Sequence, residues 1–499
     1  MRARALRAGP ALALVALCAA GAALRLGLVG QSFLSDELAT YWDISGRSLG
    51  DLLSTIRSDA EISPPLSFVL SWGGLKVSAE PEWVRAFSLL AGVATIPVLY
   101  LTGGRVSGRA MGLTAAGLAT FAPFMVFYST EARGYGVMML LVSLTTLFML
   151  VAVEDRRRRW WAAYAVATCA AAYTHYTCVF VLSFQLAWLL WAHPAARRPA
   201  LIANAAAAVA YIPWLSSLRA DLDSPTTDIL SALQPFTGEA VRTSLGHWSI
   251  GYPYSLLPLR DVPGTPALIL LGLACAAALI AVVVRRRLAA SNRDAVLVVV
   301  LALAVPVGAG LLSAVGDDLF STRNLAASWP GLGLAVALLL VSAGPRLRFA
   351  TAGLAVLALA IGAVKLLDDN RQRPPYEEMA QYINANSRPG DVVIDETAVI
   401  SPGPLSSIDP YLERRGAVFR SLQPQQRLRP FSVADRVQTM DQAARRALAS
   451  AGGERRIFLA TDVTRAPLTR PLGRYRQVAA RRWPGLFGIE VRVYAPPAS

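Results

Sequence analysis

The sequence predicts a mostly α polytopic membrane protein, with about eleven transmembrane helices over 1–367 and a small extracytoplasmic α/β domain over 368–499. Three observations predict it. The chain is 54% hydrophobic and only 16% charged, where a soluble protein carries about 25% charged residues. Apolar runs of the roughly 20 residues needed to cross a bilayer recur along its first three quarters. Basic residues fall in short bursts between those runs instead of spreading evenly.

The first run, about 10–30, follows a basic leader of Arg2, Arg4 and Arg7, so the positive-inside rule places the N-terminus in the cytoplasm. The same stretch has the outline of a cleaved signal peptide, but its apolar part is long for one, and a retained first span is expected. Further spans are expected at about 84–104, 110–127, 136–153, 160–174, 176–192, 199–215, 265–284, 295–315, 326–343 and 349–367. With the N-terminus inside, every arginine burst lands on the cytoplasmic face: Arg105 and Arg109, Arg156 to Arg159, Arg197 and Arg198, Arg285 to Arg293, Arg346 and Arg348. Most of the formal +15 charge lies in these bursts and the leader. It marks topology and gives no support for a nucleic-acid partner. Leu66 to Val77 is too short to span and contains Gly73-Gly74, which predicts an interfacial or re-entrant helix. Cys18, Cys169, Cys178 and Cys275 lie in or beside spans and outline no disulfide framework.

Beyond about residue 368 the pattern turns soluble. Pro374-Pro375-Tyr376 opens a helix to about Ser387, and 390–394 reads as a strand. A helix over about 433–450 follows, with strands at 456–460 and near 489–494. Alternating helix and strand predicts an α/β domain. It lacks a glycine-rich phosphate loop and reads as a cover, an acceptor-docking module or a stabilising unit.

Polar groups concentrate in the outward loops. The loop over about 31–83 is acidic and begins with Asp36-Glu37 just after the first span. The next outward segment is Tyr128-Ser-Thr-Glu131-Ala-Arg133-Gly-Tyr135. His175-Tyr176 marks another outer end, and Asp317-Asp318 precedes Arg323 at a fourth. Span interiors look clean apart from Asn204 and prolines such as Pro97 and Pro306. Transporters place ionisable groups near the midplane. An outer-face site fed by a lipid-linked substrate fits this distribution better, and a flippase or transporter of lipid-linked substrates is the alternative.

In these residues the sequence resembles the membrane-embedded GT-C glycosyltransferases, in the branch of the protein O-mannosyltransferases and lipid A aminoarabinose transferases. The resembling residues are Phe33-Leu-Ser-Asp36-Glu37, Ser63-Pro64-Pro65-Leu66, Trp83-Val-Arg85 and Ala122-Pro123 leading into the Tyr128–Tyr135 segment. Thr174-His175-Tyr176, Ile212-Pro213-Trp214 and Ser321-Thr-Arg323-Asn-Leu follow in order. The extra lumenal modules of the protein O-mannosyltransferases are absent between them. The resemblance implies a polyprenyl-phosphate-linked sugar donor, a glycan, lipid or protein hydroxyl as acceptor, and inversion at the sugar. It implies Asp36 as catalytic base and Glu37 as the residue that positions the acceptor or a metal. The sugars expected are mannose or a pentose such as arabinose, between which the sequence does not choose, and the expected setting is a cytoplasmic membrane with its lipids and envelope glycans.

Each assignment has a structural competitor. Ser35-Asp36-Glu37 is also an ordinary helix start. Arg133 is suited to gripping the donor phosphate with Glu131 orienting it, yet both residues sit between Tyr128 and Tyr135 as an interfacial ion pair would. Arg323 suits bidentate phosphate recognition, against ordinary snorkelling. His175 either hydrogen-bonds the phosphate or packs. Cysteine and histidine spacings give no zinc pattern, while an oxygen-bound Mg2+ or Mn2+ between Asp36, Glu37 and Glu131 stays open. Asp221-Leu-Asp223 resembles the acidic motif of nucleotide-sugar enzymes but falls on the outer side, away from those donors.

Overall fold

A computed structural model describes residues 8–34, 36–58, 61–224, 235–253, 257–316, 319–397, 399–400, 404–413, 416–421, 439–463 and 472–497. The chain forms two compact units: Met1–Val29 with Gly46–Leu366, and Gly30–Ser45 with Leu367–Ser499.

In the first unit every run expected to span lies on a helix. In chain order these are Ala8–Val29, Ala86–Ser107, Arg109–Phe121, Tyr135–Asp155, Arg158–Ala172, Cys178–Ala192, Arg197–Tyr211, Thr265–Arg285, Asn292–Val315, Trp329–Val341 and Arg348–Lys365. Among the described residues eight helical stretches are long and apolar enough to cross a membrane. Arg109–Phe121, Arg158–Ala172 and Cys178–Ala192 have 13, 15 and 15 residues and are shorter than that. The chain is a multi-pass membrane protein, and among the described residues length and composition alone mark eight of the eleven expected spans. Large apolar side chains stay exposed on Thr265–Arg285, among them Ile269, Leu273, Ile280 and Val284, as a lipid-facing helix requires. Leu66–Val77 is a helix of 12 residues.

Local chemistry sets the joints. Gly108 at φ +79° turns the chain between Ala86–Ser107 and Arg109–Phe121, a conformation glycine adopts without penalty. These two helices then pack backbone to backbone: a Cβ on Gly112 would lie 2.5 Å from the Tyr100 carbonyl oxygen, the small-residue contact that membrane helices favour. At Ala122 the backbone turns extended ahead of Pro123, which starts the short helix Pro123–Tyr128.

Span interiors are less clean than the sequence suggests. Arg25, inside the first span, is fully buried. Its guanidinium donates to Gly21 O at 3.0 Å, Thr120 O at 3.4 Å and Ala119 O at 3.3 Å. Ala119 lies four residues before Pro123, whose missing N–H would be its helical donor. Arginine takes the place of that donor. Gln185 is likewise buried and donates to Thr145 Oγ1 at 3.0 Å and Thr146 Oγ1 at 2.7 Å.

The second unit holds a five-stranded sheet of order β4-β1-β5-β7-β6. Its strands are β1 (Val392–Asp395), β4 (Val418–Arg420), β5 (Ile457–Asp462), β6 (Arg476–Trp483) and β7 (Ile489–Ala495), while β2 (Val399–Ile400) and β3 (Pro404–Leu405) pair separately. β4, β1 and β5 run parallel, and β7 and β6 add antiparallel. Alternation sends Val393 and Phe458 to one face, against Tyr376, Met379 and Ile383 of helix Tyr376–Asn386. Val392, Ile394, Ile457 and Leu459 point to the other, against Ala443, Ala444 and Ala447 of helix Met440–Ala451. The expected α/β pattern is present; its helix begins at Met440, and 422–438 lie outside the described residues. β4 and β6 were not read from sequence. β6 carries Arg476, Arg481 and Arg482 on an edge strand, where charges block further pairing and mask the apolar alternation.

Candidate functional site

In the first unit three segments that link helices come together. The Leu66 N–H donates to Tyr173 O at 2.9 Å. A Cβ on Gly134 would lie 3.0 Å from Thr174 O and 3.3 Å from Ser67 Cβ, and one on Gly136 would lie 2.9 Å from Tyr128 O. Glycine at these two positions lets the Tyr128–Tyr135 turn press against the Tyr173–Thr177 turn and the start of helix Leu66–Val77.

That packing gathers the predicted side chains. The Tyr128 and Tyr135 rings lie 4.5 Å apart, and Tyr135 lies 5.3 Å from the His175 ring. Both tyrosines are buried, as is Glu131. Arg133 does not stand alone. Its Nη1 and Nη2 donate to the Glu61 carboxylate at 3.1–3.2 Å, its Nη2 approaches Ser63 Oγ at 3.5 Å, and its guanidinium carbon sits 5.5 Å from the Phe68 ring centre. The Arg133 and Glu61 side chains retain 12% and 10% exposure, enough burial to make the pairing matter. Glu61 was not singled out in the sequence, where it is one acid among many in an acidic loop.

His175 is oriented by its neighbour. The Thr177 N–H donates to His175 Nδ1 at 3.3 Å, and Thr177 Oγ1 lies 2.9 Å from the same nitrogen. An Nδ1 that accepts leaves the proton on Nε2. Burial first, then the charges of Arg133 and Arg323, hold the imidazole well below its usual range, to about 3. His175 is therefore a neutral N–H donor standing in the field of two guanidinium groups. Arg323 precedes the turn Asn324–Ser328. Ser313 Oγ accepts from Leu319 N–H at 3.0 Å and Phe320 N–H at 3.1 Å, and Asn324 Nδ2 donates to Leu319 O at 2.8 Å, which fixes the approach to that turn. Asp317 and Asp318 lie outside the described residues.

Beside His175, the Tyr176 hydroxyl donates to Asp221 and accepts from Trp214 Nε1 at 3.1 Å. Asp221, set aside as a nucleotide-sugar motif, holds an aromatic residue of this turn.

Asp36 and Glu37 belong to the second unit, where Asp36 is the first residue of helix Asp36–Ile44. Asp36 is half-buried, and its carbonyl accepts from Thr40 Oγ1 at 3.1 Å. Ser35 lies outside the described residues. Glu37 is fully buried and forms an ion pair with Arg373. Arg373 was missed in the sequence, where only the two prolines after it were noted. Among the described residues no group of three or more His, Cys, Asp or Glu side chains is placed to hold a metal ion.

Comparisons with known proteins agree with this architecture. The family model described as dolichyl-phosphate-mannose-protein mannosyltransferase matches residues 63–216, a stretch that contains Tyr128, Glu131, Arg133, Tyr135 and His175. No curated protein matches the sequence. The structure resembles ArnT from Cupriavidus metallidurans bound to undecaprenyl phosphate, with a TM-score of 0.57 and 13% identity over 98% of each chain. The apo state of that protein gives 0.56 at 14% identity over 97% of each chain. An Archaeoglobus fulgidus oligosaccharyltransferase in complex with Zn and sulfate gives 0.50 at 12% identity, covering 97% of this chain and 73% of that one. The family match thus covers the clustered turns, and the chain shares its fold with these membrane proteins over nearly its whole length.

Proposed function

We propose that the protein transfers a sugar from a polyprenyl-phosphate donor to a hydroxyl acceptor at the outer face of the cytoplasmic membrane, with inversion. The observation that carries this reading is the gathering of Arg133, Arg323 and a neutral, Nε2-protonated His175 around buried tyrosines. Two guanidinium groups and an N–H donor suit a phosphate monoester leaving group, because they stabilise the charge that develops as the sugar departs. The similarity to a protein with undecaprenyl phosphate bound supports a donor of that chemical class.

In this reading the acceptor oxygen attacks the anomeric carbon and Asp36 takes the hydroxyl proton. The bond from that carbon to the phosphate oxygen breaks, and polyprenyl phosphate leaves with the electron pair. Arg133, Arg323 and His175 bind the leaving phosphate, while Tyr128 and Tyr135 line the donor side and Glu131 orients it. Mannose and a pentose such as arabinose are the sugars proposed. The N-terminus lies in the cytoplasm and the C-terminal unit outside.

The test is transfer by purified protein in detergent from a synthetic short-chain polyprenyl-phosphate sugar. Transfer needs no sealed compartment, whereas transport does. Release of polyprenyl phosphate with transfer of the sugar is the expected result. Activity that appears only across sealed vesicles refutes the proposal.

A further inference from the structure

The loop that carries Asp36 is fastened almost residue by residue to the C-terminal part of its own unit. Gln31 Oε1 accepts the Arg373 N–H at 3.0 Å. Ser32 Oγ accepts the Glu377 N–H at 3.0 Å. Glu377 lies in the first turn of helix Tyr376–Asn386, where backbone donors lack helical partners. Phe33 is fully buried, 5.1 Å from the Tyr41 ring and 6.2 Å from Tyr411. Leu34 packs on the core that contains Tyr376, Met379 and Phe458. Glu37 and Arg373 then form an ion pair whose side chains are 0% and 2% exposed.

An ion pair this deeply buried adds little net stability over an apolar pair, and its best-attested use is to specify one arrangement. Here it acts on the residue next to Asp36. Successive helix residues project about 100° apart, so anchoring Glu37 sets the direction of the carboxylate before it. Pro374 and Pro375 have no N–H to donate, and the Arg373 N–H goes to Gln31. Within 373–377, the Arg373 N–H, the Arg373 guanidinium and the Glu377 N–H are thus directed to the 31–37 loop.

We infer that Arg373, acting through Glu37, is a positioning residue for Asp36, and that the C-terminal α/β unit serves to hold the catalytic loop in register. This rests on reading Asp36 as the base. Misplacement of a reacting group by an ångström costs on the order of 10²-fold in rate. Arg373→Gln and Glu37→Gln are therefore expected to lower kcat by that order while leaving donor KM within about twofold. Because either single change strands a buried polar group, two further variants keep the test decisive: Arg373→Lys, and the double Glu37→Gln/Arg373→Gln, which replaces the charges by an amide pair. The double variant is expected to recover most of the lost kcat.

Two readouts separate positioning from stability. Amide exchange within Asp36–Ile44 should quicken in Arg373→Gln while the helices of the first unit keep their protection. In an Asp36→Asn background, Arg373→Gln should cost almost no further kcat. Unchanged exchange in Asp36–Ile44, or a kcat loss that multiplies fully with that of Asp36→Asn, overturns the inference. Should Asp36→Asn itself retain wild-type turnover, the base assignment fails, and the exchange measurement alone decides whether Arg373 holds the loop.

Discussion

Arg133 poses the sharpest question of the site, because its guanidinium is both a candidate phosphate ligand and half of an ion pair with Glu61. The two roles separate in a double substitution. Arg133→Gln alone leaves the Glu61 carboxylate, 10% exposed, without the donors that reach it at 3.1–3.2 Å. Breaking a buried pair from one side costs about 3–5 kcal/mol, a cost to be scaled down here because both side chains keep some exposure. Glu61→Gln/Arg133→Gln removes both charges, so unfolding in detergent should return close to the wild-type transition. Donor use should not return with it. A charge-assisted hydrogen bond to phosphate contributes about 1.5–3 kcal/mol, which is about 10- to 150-fold in donor kcat/KM. The assay is initial-rate transfer at varied donor concentration, alongside thermal unfolding of the same preparations. A double variant that regains both stability and donor kcat/KM to within about twofold reduces Arg133 to a structural partner of Glu61 and removes it from the phosphate site.

Asp36→Asn should keep its fold and donor KM but lose about 10²–10⁴-fold in turnover, the usual range for a general base; near-normal transfer would remove the base assignment. Arg323→Ala should lower donor kcat/KM by at least tenfold, with Arg323→Lys recovering only part because the bidentate fork is lost; equal rates for Lys and Arg would argue against bidentate contact. Arg25→Met should destabilise the first unit by about 1–3 kcal/mol through the unsatisfied carbonyls of Ala119 and Thr120, read as a lowered unfolding temperature; an unshifted transition means those carbonyls find other donors. His175 has a folded pKa near 3, below the roughly 6.5 of an unfolded chain. Its contribution to stability is present above about 6.5 and falls as pH drops from there towards 3, because the unfolded chain takes up the proton first. Between pH 6.5 and 8 the kcat/KM profile should carry no limb that disappears in His175→Gln, and finding one would show that the imidazole titrates in the working range.

Much of this molecule is legible from its residues because the bilayer imposes a simple rule. Apolar runs and arginine bursts placed every expected span on a helix, and Tyr128, Arg133, Tyr135 and His175, at the ends of helices, fall together. Five of those helices have only 13–15 residues, and only Arg197–Tyr211 and Trp329–Val341 reach spanning length, through adjoining helical turns. Arg25 escaped notice because its partners are carbonyl oxygens, which leave no mark in a sequence.

The partnerships were the least legible part, and they bear most directly on chemistry. Glu61 and Arg133 stand 72 residues apart, and Glu37 and Arg373 stand 336 apart. A sequence displays charges one by one, whereas the cost of burying a charge is settled only by the partner that the fold brings to it. Asp36-Glu37 looks like a pair of equivalent acids. In the fold Glu37 is buried against Arg373 while Asp36 keeps partial exposure, and two adjacent carboxylates in such different surroundings are not interchangeable. That asymmetry supports the proposed roles, base chemistry for Asp36 and positioning for Glu37. It requires Glu37→Gln to act through the placement of Asp36, with a smaller loss than Asp36→Asn and one that the matching change at Arg373 relieves.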